Sequence, residues 1–221
     1  GHDMELAAGF LVTENIIHHR QDVSEIAHCR EGEAAQLGNT VNVFLTPEVD
    51  VDFGQLTRHF FASSSCGLCG KASIEGVHQQ FPPVENQLEV SAKMLASLPD
   101  ILRVAQPTFD QTGGLHAAGL FSMDGFLTVS REDIGRHNAV DKVIGYAFLD
   151  QVDLSQSILL VSGRASFEIM QKALAARIPI VAAVSAPSSL AVEFAQDSRQ
   201  TLAGFVRGKT MNVYAGAQRV R

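Results

Sequence analysis

Apolar runs of strand length alternate with amphipathic stretches through the second half of the chain. SILLVSG (157–163) and IPIVAAVS (178–185) are near-continuous apolar runs of the kind that buried strands carry. Between and after them, SFEIMQKALAAR and PSSLAVEFAQDS place their apolar residues at helical spacing, and Pro187 suits the opening of the second helix. TLAGFVRG and MNVYAG read as two further strands. An order of strand, helix, strand, helix, strand implies parallel pairing through right-handed crossovers. Upstream, AAGLFSMDGFLTVS predicts a hairpin turning at Asp124-Gly125. REDIGRHNAVDKVIGYAFLD predicts a helix with Asp133 as its N-cap. Ala139, Val140, Val143, Ile144, Ala147 and Phe148 share its apolar face.

The first half is less regular. ELAAGFLVTENII (Glu5–Ile17) predicts an amphipathic helix, TVNVFL (Thr40–Leu45) a strand ended by Pro47, and LEVSAKMLASLPDILR a second helix. Gln106-Pro107 then marks a boundary. The expected fold is therefore α/β: a smaller N-terminal α/β subdomain over residues 1–106, and a three-layer domain with a mostly parallel sheet over residues 107–221. The chain enters helical sequence within a few residues of Gly1, so further strands are expected upstream of it.

Composition narrows the function. A hydrophobic fraction of 46% in 221 residues supports a globular core. The net charge of −7 argues against a general nucleic-acid binder. No apolar run is long enough to span a bilayer, and Gly1–Leu11 lacks the basic and apolar regions of a signal peptide. Three cysteines do not make a disulfide framework, which favours the cytoplasm.

Two of those cysteines, Cys66 and Cys69, lie in SSSCGLCGKASIE, a Ser- and Gly-rich loop. A zinc site is disfavoured. No second Cys-x-x-Cys exists, and the His-x-Glu that zinc deaminases use is absent from the chain. A redox pair and a persulfide carrier both need an exposed thiol, and spacing alone leaves them level.

The loop resembles the signature of the FdhD family, the formate dehydrogenase accessory sulfurtransferases. So do ELAAGFL, TGGLHAAGLF, EDIGRHNAVDKVIG, SGRASFEIMQKA, SAPSSLAVEFA and TLAGFVRG with NVY, in this order from about Glu5 to Tyr214. The resemblance implies a cytidine-deaminase-like C-terminal domain without zinc chemistry, and no structural metal. It implies that a cysteine desulfurase loads Cys66 with persulfide sulfur while Cys69 assists. The sulfur would pass to the molybdenum cofactor, bis-molybdopterin guanine dinucleotide, before its insertion into formate dehydrogenase. It places cofactor contacts at Phe205, Val206, Arg207, Gly208, Lys209 and Thr210, and it implies a homodimer. Arg164, between a strand and a helix, and His137, in the polar run Glu132–Lys142, are expected to join that site. The plain reading of the polar run is a solvated helix face, with Asn138 and Lys142 toward water. His116 is expected to cap a turn. A non-catalytic cofactor-binding chaperone is the alternative function.

Overall fold

The computed structural model describes residues 1–51, 77, 78, 80–85 and 88–221. Its centre is a six-stranded sheet in the order β4-β3-β5-β6-β7-β8. The strands are β3 (His116–Ser122), β4 (Leu127–Asp133), β5 (Ser157–Val161), β6 (Ile180–Ala183), β7 (Thr201–Arg207) and β8 (Thr210–Ala215). β5, β6 and β7 run parallel, as the repeating pattern requires. β3, β4 and β8 are antiparallel to their neighbours, so the sheet is mixed and parallel pairing is confined to its middle. The β3–β4 hairpin turns at Asp124-Gly125, where Gly125 supplies a φ of 84°.

Successive residues along each strand feed opposite cores. Leu120, Leu159, Val161, Val181 and Leu202 pack with Val140, Ile144, Ile169 and Phe194. Those partners come from α5 (Arg136–Leu149), α6 (Phe167–Ala175) and α7 (Ser189–Asp197). Phe121, Ile158, Leu160, Ile180 and Ala203 pack instead with Leu95, Leu98 and Leu102 of α3 (Ala92–Val104). This period-2 partition makes the three layers. The short α4 (Pro107–Thr112) follows α3, with proline at its start.

The N-terminal helix α1 (Asp3–Thr13) stops earlier than its apolar spacing suggests. Asn15 adopts a left-handed φ of 61°, and the Glu14 N–H bonds back to the Phe10 carbonyl, which closes the helix ahead of the buried Ile17. β2 (Val41–Leu45) forms where expected. It pairs antiparallel with β1 (Val23–His28) across α2 (Gly32–Leu37). β1 has little apolar signal of its own, since only Val23 in it is buried.

α1 crosses α5 with almost no gap. A Cβ on Gly9 would lie 1.8 Å from the Asp141 carbonyl oxygen, and one on Gly145 would lie 1.8 Å from the Glu5 carbonyl oxygen. Two glycines thus let two backbones touch. The crossing is pinned on either side by ion pairs. Arg131 makes a forked pair with Glu5 at 2.5 and 2.7 Å, and Lys172 meets Asp141 at 2.9 Å.

α5 begins at Arg136, not at Arg131. Strand β4 runs on through Asp133, and Gly135 holds the N-cap position. Asp133 is therefore not the cap. Its carboxylate accepts from the Gly135 N–H at 2.8 Å and the Asn138 amide at 3.1 Å, and meets Lys142 Nζ at 2.6 Å. Lys142 is only 4% exposed, against the expectation that it points to water, because the helix start turns it back onto the end of β4.

Candidate functional site

The three parallel strands end on one edge of the sheet, where ligands of open α/β folds are held. On the α3 side of that edge lies a cavity of about 600 Å³, within the range of small-molecule sites. Ser162 after β5, Val184 after β6, and Val206, Arg207 and Gly208 at the end of β7 form one wall. Gly113, Gly114, Leu115 and His116 lead into β3 and form a second. Leu102 and Arg103 of α3, with Gln106 and Phe109, close the third.

That third wall is held in place. The Glu132 carboxylate, from β4, accepts from the backbone N–H groups of Thr108 and Phe109 at 2.9 and 2.7 Å, which satisfies the start of α4. Arg103 lies over the Phe109 ring at 4.9 Å and pairs with Asp110 at 2.5 Å. On the opposite wall, the Ser162 hydroxyl accepts from the Ala117 N–H at 2.8 Å.

The structure divides the expected site residues. Val206, Arg207 and Gly208 line the cavity. Phe205 and Gly208 carry positive φ angles of 52° and 58°, so the segment 205–210 leaves regular strand geometry at the cavity. Lys209 and Thr210 are exposed at its turn, and the Thr210 hydroxyl donates to the Arg207 carbonyl. Arg164 is exposed beyond β5 and is not among the lining residues. His137 lies on the other face, where its Nε2 is 3.4 Å from the Ser166 hydroxyl and 4.0 Å from Glu168. His116 lines the cavity. A Cβ on Gly163 would come within 3.2 Å of its ring. Nothing in the sequence pattern singled out Arg103 or Phe109, and Gln106 stood out only as a boundary. Cys66 and Cys69 lie outside the described residues.

Electrostatics separate the two faces. Burial holds the His137 pKa below its usual value, and the Arg136 charge adds to this, so His137 is neutral at pH 7. Burial would raise Glu168, but hydrogen bonds from Ser166 and its own backbone N–H, with the charges of His137 and Arg136, bring it below its usual range. Asp133 behaves alike: burial opposes ionisation, and the bonds from Lys142, Gly135 and Asn138 outweigh it. Asp141 goes the other way. Burial raises it despite Lys172 and Thr13. Among the described residues no three His, Cys, Asp or Glu side chains come together to hold a metal, and no helix is long and apolar enough to cross a membrane.

Similarity to known proteins bears on what the cavity is for. The model of the FdhD/NarQ family matches residues 1–221. The chain belongs to the FdhD/NarQ family. A relative in Mycobacterium tuberculosis, named sulfur carrier protein FdhD, is 53% identical over all of this chain and 83% of its own length. One of the same name in Thermoplasma volcanium is 45% identical over 99% of this chain and 78% of its own length. Among solved structures, a protein from Desulfotalea psychrophila, provisionally assigned as a formate dehydrogenase accessory protein, superposes with a TM-score of 0.75. It is 26% identical, over all of this chain and 80% of that one. The mixed α/β architecture is therefore the family's own.

Proposed function

We propose that this protein is a cytoplasmic sulfur carrier for formate dehydrogenase maturation. It takes sulfur from a cysteine desulfurase onto Cys66 and passes it to the molybdenum cofactor, bis-molybdopterin guanine dinucleotide, before insertion of that cofactor. The observation that carries this reading is a Cys-x-x-Cys pair inside a chain that matches the FdhD/NarQ family throughout. The names of the relatives support the carrier role.

The chemistry is thiol exchange. The Cys66 thiolate attacks the outer sulfur of the donor's persulfide. A Cys66 S–S bond forms, the donor's S–S bond breaks, and the donor thiolate leaves with its electron pair. No external oxidant is required. Cys69 assists release by attacking the Cys66 sulfur once the terminal sulfur is to leave; a Cys66–Cys69 disulfide forms and the sulfur departs as hydrosulfide, so a thiol reductant must then reset the pair.

The cofactor is the substrate, and the cavity beside segment 205–210 is its proposed seat. Arg207 offers a forked donor suited to phosphate oxygens. Assigning Arg164 and His137 to the same ligand requires that it extend across the carboxyl edge of the sheet. The protein acts as a homodimer in this reading.

Replacing Cys66 by Ala in cells that lack the native protein tests it. Loss of formate dehydrogenase activity is expected. Activity retained would favour the alternative, a chaperone that holds the cofactor while its cysteines stand idle.

A further inference from the structure

Two serines hold equivalent places in the fold. Ser166 follows β5 as the N-cap of α6, and Ser188 follows β6 as the N-cap of α7. Ala165 and Pro187, just before them, form a parallel bridge. Ser188 caps its helix in the ordinary way, accepting from the Ala191 N–H at 3.2 Å. Ser166 makes no cap bond. Its hydroxyl bonds instead to the Glu168 carboxylate and, at 3.4 Å, to His137 Nε2. A hydroxyl has one proton to give, and a carboxylate can only accept it. The Ser166 oxygen therefore accepts from His137, and the neutral ring carries its proton on Nε2. Nδ1 keeps a lone pair. Among the described residues none bonds to it, and 33% of the side chain is open to solvent. Beside the ring, the buried Nε of Arg136 has no hydrogen-bond partner.

We propose that Glu168, Ser166 and His137 form a proton relay that ionises a thiol presented at His137 Nδ1. The thiol gives its proton to Nδ1, and the S–H electron pair stays on sulfur. The imidazolium that forms donates its Nε2–H to Ser166, with the Glu168 carboxylate 4.0 Å from Nε2. His137 is the base; Ser166 and Glu168 are positioning residues, because they act through it. The unused Arg136 donor suits the resulting thiolate, and only a thiolate exchanges sulfur. The inference rests on the carrier reading for its thiol, that of Cys66. The chain returns from its cysteine-bearing stretch to this face of the sheet. The His78 ring, nine positions after Cys69, stacks on Phe194 of α7 at 5.4 Å, and Phe194 meets Phe167, the neighbour of Ser166, edge-on at 5.1 Å. The relay also gives His137 a task for which the cofactor need not reach it.

Two measurements on the full chain test this. Nitrogen-15 NMR of the imidazole rings reads the tautomer. His137 is expected as the Nε2–H form in the wild type, as a mixture in Ser166→Ala, and as the Nε2–H form again in Ser166→Thr, which restores the hydroxyl. A wild-type ring protonated on Nδ1, or a tautomer indifferent to Ser166→Ala, would overturn the relay. Iodoacetamide alkylation of Cys66, mapped by tandem mass spectrometry, reads the thiolate. At pH 7 His137→Gln is expected to slow it roughly ten-fold, and the two proteins should converge by about pH 9.5, where thiols ionise unaided. The alkylation rate of Cys29 should not change, which verifies that the variant is folded. The other charged or titratable groups that bear on His137 are Arg136, Glu168, Lys172 and His116. Arg136→Gln is expected to move the Cys66 profile to higher pH and to leave the tautomer alone. Equal Cys66 rates in wild type and His137→Gln at pH 7 would overturn the thiol assignment. If tautomer and rates behave as expected but a cysteine desulfurase does not load Cys66, the carrier reading falls and the relay stands.

Discussion

Replacing Gly145 by Ala puts the α1–α5 crossing to a test of sign. In an exposed helix interior this change stabilises by about 1 kcal/mol, because alanine is the better helix former. Here the new Cβ would lie 1.8 Å from the Glu5 carbonyl oxygen and 2.7 Å from the Gly9 nitrogen. Both are backbone atoms, so no side chain can swing aside, and α1 as a whole must move away by more than an ångström. Overpacking of this kind costs roughly 1–3 kcal/mol, occasionally more. Displacing α1 also stretches the Arg131–Glu5 and Lys172–Asp141 pairs that flank the crossing. We expect a net loss of about 3 kcal/mol. For a chain of this size that lowers the melting temperature by about 6–12 °C. The chain has no tryptophan, so circular dichroism or scanning calorimetry is the suitable assay. Gly9→Ala should behave the same way. The double variant should fall well short of additivity, since one displacement of α1 relieves both contacts. A Gly145→Ala protein that melts at or above the wild type would refute the close backbone approach.

Other consequences follow from the same geometry. Lys142→Met takes the cation from the half-buried Asp133 carboxylate, which keeps its bonds from Gly135 and Asn138, and should cost roughly 1–3 kcal/mol in urea unfolding at neutral pH. Asp133 has a depressed pKa when folded, so its contribution is complete above the ordinary carboxylate value and is lost as pH falls through the folded one; the penalty of the variant should shrink there. His137 is also depressed, but as a base: below about pH 6.5 the unfolded chain binds its proton first, so stability falls with pH, and His137→Gln should flatten that limb of a melting-temperature profile. Phe205 is held at a φ of 52° and is 37% exposed, so Phe205→Gly should melt above Phe205→Ala, the left-handed backbone being strained for alanine but not for glycine.

Much of the C-terminal layer structure was legible because its strands are buried on both faces. SILLV and IPIVAA can hardly be anything but inner strands, and the stretches between them have one apolar face each. The hairpin of β3 with β4 was legible, but the antiparallel pairing of β3 with β5 was not. Strand direction depends on which edges meet, and a run of apolar residues does not encode that. β1 escaped notice because a strand packed on one side by a single residue has no alternation to read. Lys142 illustrates a different limit. A lysine one turn beyond Asn138 on a helical wheel looks solvated, and its burial depends on where β4 ends, which the periodicity of α5 does not reveal. At the site, the glycine and arginine of TLAGFVRG stood out as a strand end with charge. Gln106 and Phe109 did not, because their place on the cavity wall is set by the Glu132 carboxylate, which accepts from the start of α4 across the fold.

The central claim is that sulfur travels on Cys66. Incubating the full chain with a cysteine desulfurase and cysteine, digesting it without reductant, and mapping the peptides by mass spectrometry tests this directly. The account predicts the gain of one sulfur atom on the peptide that contains Cys66, and none on the Cys29 peptide. An unmodified Cys66 peptide, under conditions where the desulfurase itself carries persulfide, would contradict it.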